Sequence, residues 1–248
     1  WVNGVFDISL EPKPQAYFLR SFFKPDEPIV RIAVVDDAAS VIWNDVQVGT
    51  KTQSSHWNRK EGSKVNLYTY TNGDEVELFI NGKSLGRRTN NVENSKEHNR
   101  IYWKDIPYQK GNIEARAYRK GESKPIAVHR VETSNPAVKL AATADNADWK
   151  ADGQDLQHIR IHAVDSKNRR DYGASQRLKF AVEGPAEIIG VINGDLSSNE
   201  LTVGDTRSLA AGSCAVILRS TGQPGEVIFT ATAEDAKLKP AKLKFYTK

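Results

Sequence analysis

The sequence contains no methionine, a single cysteine and no long apolar run. One cysteine excludes an intrachain disulfide, and Cys214 lies in the apolar segment 213–218, where we expect a buried structural thiol. A membrane-spanning helix needs about 20 consecutive apolar residues, whereas the hydrophobic segments here have the length of single strands. The sequence therefore predicts no membrane partner.

The absence of an initiator methionine, with Trp1 as the first residue, indicates an internal piece of a longer protein. The 35 Lys and Arg residues exceed the 31 Asp and Glu residues by four, and these charges are spread along strand faces rather than gathered in blocks. Spread charges are typical of solvated surface. We therefore expect no nucleic-acid partner.

Short segments of alternating apolar and polar residues predict an all-β fold. Six such segments lie between residues 28 and 132, and seven more lie between 138 and 246. Series of this length and spacing are typical of immunoglobulin-like β-sandwiches. We predict two tandem sandwiches, over residues 25–134 and 135–248, preceded by a different segment over 1–24.

Residues 64–86 predict three strands in a meander. Segments 65–70 and 75–80 alternate in hydrophobicity, Asn72-Gly73 lies between them, and Asn81-Gly82 is suited to a type I′ hairpin turn before the third strand. Residues 37–59 are predicted to be irregular, anchored by Trp43 and Trp57.

Residues 4–8 predict a short strand, and residues 11–23 predict a helix opened by proline. Tyr17, Phe18, Phe22 and Phe23 give this helix a large apolar face, so we expect it to pack on another part of the protein.

Few residues are arranged for catalysis or metal binding. His158 and His162 lie on one predicted exposed strand face, but about 13 Å apart along it, which is too far for one metal ion. Asn199-Glu200 resembles a glycosidase acid dipeptide but lies in a predicted loop with no second carboxylate opposite. We predict no catalytic residue, no metal site and no cofactor.

Aromatic side chains are the remaining candidates for a binding site, because sugar rings stack on exposed aromatic faces. Trp149, Trp57 and Trp103 lie near predicted loops. Trp103 alternates with Ile101 and is expected to face inward, Trp57 is expected to pack on the helix, and Trp149 is expected to be exposed. The alternative is that these large aromatic side chains fill sandwich cores or cover domain joints.

Two parts of the chain resemble domains of one enzyme family. Residues 70–72 and 76–86 (Val-Glu-Leu-Phe-Ile-Asn-Gly-Lys-Ser-Leu-Gly) resemble a domain that follows the catalytic barrel of bacterial family 2 glycoside hydrolases, chiefly β-galactosidases, and residues 56–58, 107–108 and 114–118 resemble the same domain. Residues 151–153, 164–165, 182–184, 190–195 and 225–227 resemble their C-terminal immunoglobulin-like domains. Residues 4–7, 12–13, 17 and 21 resemble the last strand and helix of the barrel.

The resemblance implies that the catalytic glutamates lie in a (β/α)₈ barrel upstream in the same chain, and that this fragment alone is inactive. It also implies a secreted or periplasmic parent enzyme. Two alternatives stay open, a carbohydrate-binding module of a polysaccharide-degrading enzyme and an immunoglobulin-like spacer or adhesion array.

Overall fold

The computed structural model describes residues 4–36, 39–43, 46–50 and 52–248. The chain divides into two compact units: unit 1 comprises Trp1–Asp7 and Pro12–Thr133, and unit 2 comprises Ile8–Glu11 and Ser134–Lys248. Each unit has its own hydrophobic core between antiparallel sheets. The prediction of an all-β fold with two sandwiches is confirmed.

The described residues of unit 1 form one helix and ten strands. They are α1 (Pro14–Phe23), β1 (Val30–Val35), β2 (Ala39–Trp43), β3 (Val46–Thr50), β4 (Gln53–Ser54), β5 (Lys64–Thr71), β6 (Glu75–Ile80), β7 (Lys83–Thr89), β8 (Arg100–Pro107), β9 (Asn112–Tyr118) and β10 (Ala127–Glu132). The sandwich consists of a sheet in the order β4-β1-β5-β8 and a sheet in the order β10-β9-β6-β7. Strands β2 and β3 pair with each other.

The predicted three-stranded meander is wrong, because β5 and β6 lie in different sheets. The end of β5 and the turn after it form hydrogen bonds with other parts of unit 1. The Thr71 hydroxyl donates to the Ile29 carbonyl over 2.7 Å, and the Asp74 N–H donates to the Tyr118 carbonyl over 2.9 Å. The β6–β7 hairpin does form. Its turn residues Asn81 and Gly82 have φ values of 49° and 81°, as a type I′ turn requires.

The Asn72 side chain connects the end of α1 to β1. Its amide nitrogen donates to the carbonyls of Lys24, Pro25 and Glu27, and its Oδ1 accepts the Ile29 N–H over 2.9 Å. One carboxamide therefore satisfies the main chain of a segment without regular structure.

Three other local predictions need correction. The segment 37–59, predicted to be irregular, contains the β2–β3 hairpin and β4, while the side chain of Trp43 lies outside the described residues. The predicted strand over 4–8 is reduced to an isolated bridge between Phe6 and Pro12. The helix begins at Pro14 rather than residue 11, because proline suits the first helical turn.

Unit 2 contains eight strands: β11 (Lys139–Ala144), β12 (Leu156–Val164), β13 (Arg177–Glu183), β14 (Ala186–Ile192), β15 (Thr206–Ser208), β16 (Ser213–Ser220), β17 (Gly225–Ala233) and β18 (Ala241–Thr247). They form sheets in the orders β11-β12-β16-β14 and β15-β13-β17-β18. Cys214 lies in the core with 1% exposure, and burial raises the pKa of its thiol. The prediction of a buried cysteine is confirmed.

The His129 imidazole joins the two sheets of unit 1. Strand β4 pairs only with Val34 and Val35 of β1, so the Ile32 N–H donates instead to His129 Nδ1 on β10, over 3.2 Å. Burial, and then the charge of Arg31, lower the pKa of His129 to about 3. The ring is therefore neutral at pH 7, as an accepting Nδ1 requires.

We predict that unit 1 loses stability as the pH falls from 6.5 toward 3. The unfolded chain binds a proton at His129 near its ordinary pKa of 6.5, whereas the folded chain resists protonation until about pH 3. Thermal unfolding at pH 7.5 and pH 5 should show this loss, and His129→Gln, which cannot titrate, should reduce it. An unchanged pH dependence in His129→Gln would contradict the assignment.

Candidate functional site

The three candidate tryptophans are all buried. Trp57 and Trp103 have 0% of their surface exposed and Trp149 has 1%. Each indole N–H donates to an internal acceptor: Trp57 to the Gln109 carbonyl, Trp103 to Thr69 Oγ1 and Trp149 to the Asp155 carbonyl, over 2.8–3.0 Å. None of these rings offers a face to a sugar, so the proposed contacts of Trp149, Trp57 and Trp103 with carbohydrate do not fit the structure.

The reasons for burial differ among the three. Trp103 faces inward, as its alternation with Ile101 predicts, while Trp57 packs against Tyr108 with ring centroids 5.3 Å apart. The expectation that Trp149 is exposed is wrong. The loop that carries it folds back onto unit 2, so that its indole packs 5.6 Å from the Phe245 ring.

The two candidate metal ligands bind separate carboxylates. His158 Nδ1 lies 3.0 Å from Asp145 Oδ2, and His162 Nε2 lies 2.6 Å from Glu11 Oε1. Both rings are partly buried, which corrects the expectation of an exposed face. Within the described ranges, no group of three His, Cys, Asp or Glu residues is placed to hold a metal ion.

Glu11 lies in a cationic pocket of unit 2. Besides His162, it contacts Arg170 over 3.1 Å and the Ser213 hydroxyl over 3.3 Å. Burial raises the pKa of its carboxyl, but the hydrogen bond from His162 and the charges of Arg170, His162 and Arg160 outweigh burial and lower the pKa to about 2. Glu11 is therefore an ionised structural residue.

Glu200, the acidic residue of the Asn-Glu dipeptide, is also held as a carboxylate. It accepts hydrogen bonds from the Ser208 hydroxyl over 2.6 Å and the Ser208 N–H over 3.0 Å, and it lies 3.5 Å from the buried Arg207. Burial raises the pKa of Glu200, but these bonds and the charges of Arg207 and Arg177 outweigh burial, so that the pKa lies below its ordinary value. A glycosidase acid needs the opposite shift.

An open site lies on the outer face of the β4-β1-β5-β8 sheet, where Tyr68 and Tyr102 are directly opposed on β5 and β8. Their ring centroids are 5.0 Å apart with planes inclined by 43°, and Tyr102 is 42% exposed. Two hollows, of about 820 and about 530 Å³, meet at this pair. We call the pair and both hollows the tyrosine groove.

Helix α1 covers one end of this face. Phe18 packs against Tyr70, with ring centroids 5.0 Å apart, and the Tyr70 hydroxyl donates to Gln53 over 2.7 Å. Tyr68 lies parallel to Tyr70 at 6.1 Å and has the open side of the face beside it. The sequence contains the signal for this site, since the alternation that turns Leu67 and Trp103 inward turns Tyr68 and Tyr102 outward.

The groove is lined by more cations than anions. Among the residues that the structure describes, its carboxylates are Asp36 and Glu97, whereas its cations are Arg59, Lys60, Lys64, Arg88, Lys96 and Arg100. Among the described residues, six cations and two carboxylates give the groove an excess of four positive charges. The fold thus concentrates in one place a charge that the sequence distributes.

The fold and its sites define a class: a pair of β-sandwiches whose candidate acids and histidines are bound in structural contacts. Residues 140–244 match the glycoside hydrolase family 2 C-terminal domain 5, and residues 62–124 match DUF4982, a domain of unknown function. The chain belongs to the C-terminal domains of glycoside hydrolase family 2. No described helix is both long and apolar enough to cross a bilayer.

Similar proteins include a β-galactosidase, a β-glucuronidase and a family 2 glycoside hydrolase of known structure. A β-galactosidase of Bacteroides ovatus is 32% identical over 193 residues, which are 77% of this chain and 22% of that protein. A β-glucuronidase of Formosa agariphila is 26% identical over 92% of this chain and 20% of that protein. The crystal structure of a family 2 member from Bacteroides cellulosilyticus matches 99% of this chain and 31% of its own, with 31% identity and a TM-score of 0.86. The chain thus spans between a fifth and a third of these relatives.

We predict that Trp149→Phe lowers the unfolding free energy by about 1–3 kcal/mol, because it leaves a void and removes the donor to the Asp155 carbonyl. Denaturant unfolding measures this change. Tyr246→Phe is the matched control, since it removes one hydrogen bond from an exposed ring of the same unit and should cost less than about 0.5 kcal/mol. Equal losses in both variants would show that the indole is not buried.

We predict that unit 2 loses stability in a more acidic range than unit 1. The folded-state pKa of Glu11, about 2, lies below its ordinary value of 4.5, so its contribution is complete above pH 4.5 and lost as the pH falls toward 2. Glu11→Gln should lower stability at pH 7 and flatten the dependence between pH 4.5 and 2. A dependence that matches the parent chain in this range would refute the assignment.

Proposed function

We propose that this chain is a non-catalytic accessory region of a β-galactosidase-like family 2 glycoside hydrolase, whose full-length form hydrolyses terminal β-glycosides. The observation that carries the proposal is the state of Glu200. It has the sequence context of a glycosidase acid, yet two bonds from Ser208 and the charge of Arg207 hold it ionised. A carboxylate in this state cannot protonate a leaving group.

Catalysis in the parent is assigned to a (β/α)₈ barrel upstream in the same chain. Retaining glycosidases use two carboxyl groups about 5–5.5 Å apart, and in a barrel these lie at the carboxyl ends of strands. The two units described here are sandwiches, which lack that arrangement of strand ends. Their proposed role is to support the barrel.

The outer face of α1 favours such a partner. Phe23 is 78% exposed, and Phe22 and Leu19 beside it are exposed by 40% and 39%. Grouped apolar side chains on a helix are typical of surfaces that contact another protein part. In the full-length enzyme we assign this face to the catalytic barrel.

We predict that the purified chain does not hydrolyse aryl β-galactosides, whereas the full-length parent does. Turnover of p-nitrophenyl β-galactoside by both proteins is the measurement. Saturable hydrolysis by the chain, abolished by Glu200→Gln, would overturn the accessory role.

A deletion of residues 137–248 from the parent separates a supporting role from a spacer role. Support predicts a lower thermal unfolding midpoint and loss of soluble enzyme. Unchanged turnover and unchanged stability would assign these residues to a spacer.

A further inference from the structure

We propose that the tyrosine groove of unit 1 binds an acidic oligosaccharide, one whose sugar rings carry carboxylate or sulfate groups. The choice of a glycan rests on the proposed function, and the choice of an acidic one rests on the charges that line the groove. The three tryptophans named from the sequence have no part in it.

The tyrosine pair supplies the apolar contact that a sugar ring needs. The register of β5 and β8 fixes Tyr68 opposite Tyr102, and neighbouring strands of a sheet hold such a pair rigidly. Tyr102 is 42% exposed, so a large part of its side chain is accessible to a ligand. An aromatic ring held by strands gives a large contact area at a low cost in conformational entropy.

The phenol hydroxyls supply hydrogen bonding beside the stacking surface. Among the described residues, neither the Tyr68 nor the Tyr102 hydroxyl has a hydrogen-bond partner, whereas Tyr70 donates to Gln53. A phenol both donates and accepts, as a sugar hydroxyl does. The groove therefore combines an apolar platform with unsatisfied polar groups at its edge.

Five cations of the groove have no carboxylate partner in the part of the chain that the structure describes. They are Lys60, Lys64, Arg88, Lys96 and Arg100, and they lie on both sides of the tyrosine pair. Arg59, by contrast, is paired with Asp36 over 2.7 Å. Cations that line a concave surface attract anionic ligands. Anionic groups along an oligosaccharide would thus meet positive charge in both hollows.

The two hollows of the groove have room for more than one sugar. The two hollows, about 820 and about 530 Å³, share Tyr68 and Tyr102 as their common wall. Stacking on the tyrosines would place neighbouring sugars in the hollows, where Lys60 and Lys64 lie on one side and Arg88 and Arg100 on the other. This arrangement predicts that binding strengthens with oligosaccharide length.

The test is affinity gel electrophoresis and calorimetry of the 248-residue chain with four polymers. Polygalacturonate carries carboxylates, a sulfated galactan carries sulfate esters, an unsubstituted galactan is neutral, and single-stranded DNA is a polyanion that is not a glycan. We expect retardation by one or both acidic glycans, and which of them binds identifies the anionic group. Binding should weaken as salt is raised, because exposed charges are screened.

Two sets of variants test the residues. Tyr102→Ala should abolish retardation, while Tyr102→Phe, which keeps the ring, should retain most of it. Lys60→Gln with Lys64→Gln should weaken binding by about tenfold. Lys83→Gln with Lys124→Gln removes the same charge from exposed positions of unit 1 outside the groove and should leave binding unchanged.

The lysine pair keeps the test decisive if Tyr102→Ala does not fold, because both lysines are exposed. Undiminished binding in Tyr102→Ala or in the double lysine variant would overturn the proposal. So would equal retardation by the neutral galactan, binding of DNA as tight as that of the acidic glycans, or no binding to either acidic glycan. Hydrolysis of a small aryl glycoside by the parent does not involve the groove, so the accessory role stands or falls separately.

Discussion

The alternation of a β-strand decides which side chains of this protein remain available to other molecules. A strand that lies in a sandwich places every second residue in the core, and the residues between them point outward. In β5, this constraint buries Leu67 and Thr69 and turns Tyr68 outward. In β8 it buries Ile101 and Trp103 and leaves Tyr102 exposed. The core and the groove are two faces of the same strands.

Charge follows a different rule, because it depends on which strands and loops the fold brings together. The groove collects cations from β5, β7, β8 and the loops before and between them, while Asp36 and Glu97 are its carboxylates. In unit 2 the opposite case occurs: Glu11 lies among His162, Arg160 and Arg170, so positive charge there has an anionic partner. The cations of the groove can therefore attract an anionic ligand, whereas the ion pairs of Glu11 stabilise the fold.

The sequence predicted what periodicity encodes. The two sandwiches, the inward direction of Trp103, the burial of Cys214 and the Asn81-Gly82 hairpin all follow from alternation or from turn chemistry. The burial of Trp149 does not follow from periodicity, because this residue lies in a loop and a loop has no period from which the direction of a side chain can be predicted. The contact of Glu11 with His162 joins residues 151 positions apart, and local patterns contain no information about it. The separation of β5 and β6 into two sheets depends on bonds to Ile29 and Tyr118, which also lie far from these strand ends in the sequence.

Asn72 fixes the conformation of the segment that follows α1, although nothing in the sequence of that segment predicts a fixed conformation. A loop between a helix and a strand usually permits many orientations, but here one side chain bonds four main-chain groups between Lys24 and Ile29. These bonds hold the segment between α1 and β1 in one conformation, so that α1 has a fixed orientation on the sandwich of unit 1. A rigid body that packs on Phe22 and Phe23 would take its angle to the sheet from this amide together with the contact between Phe18 and Tyr70, so that the geometry of a much larger assembly would depend on a few atoms.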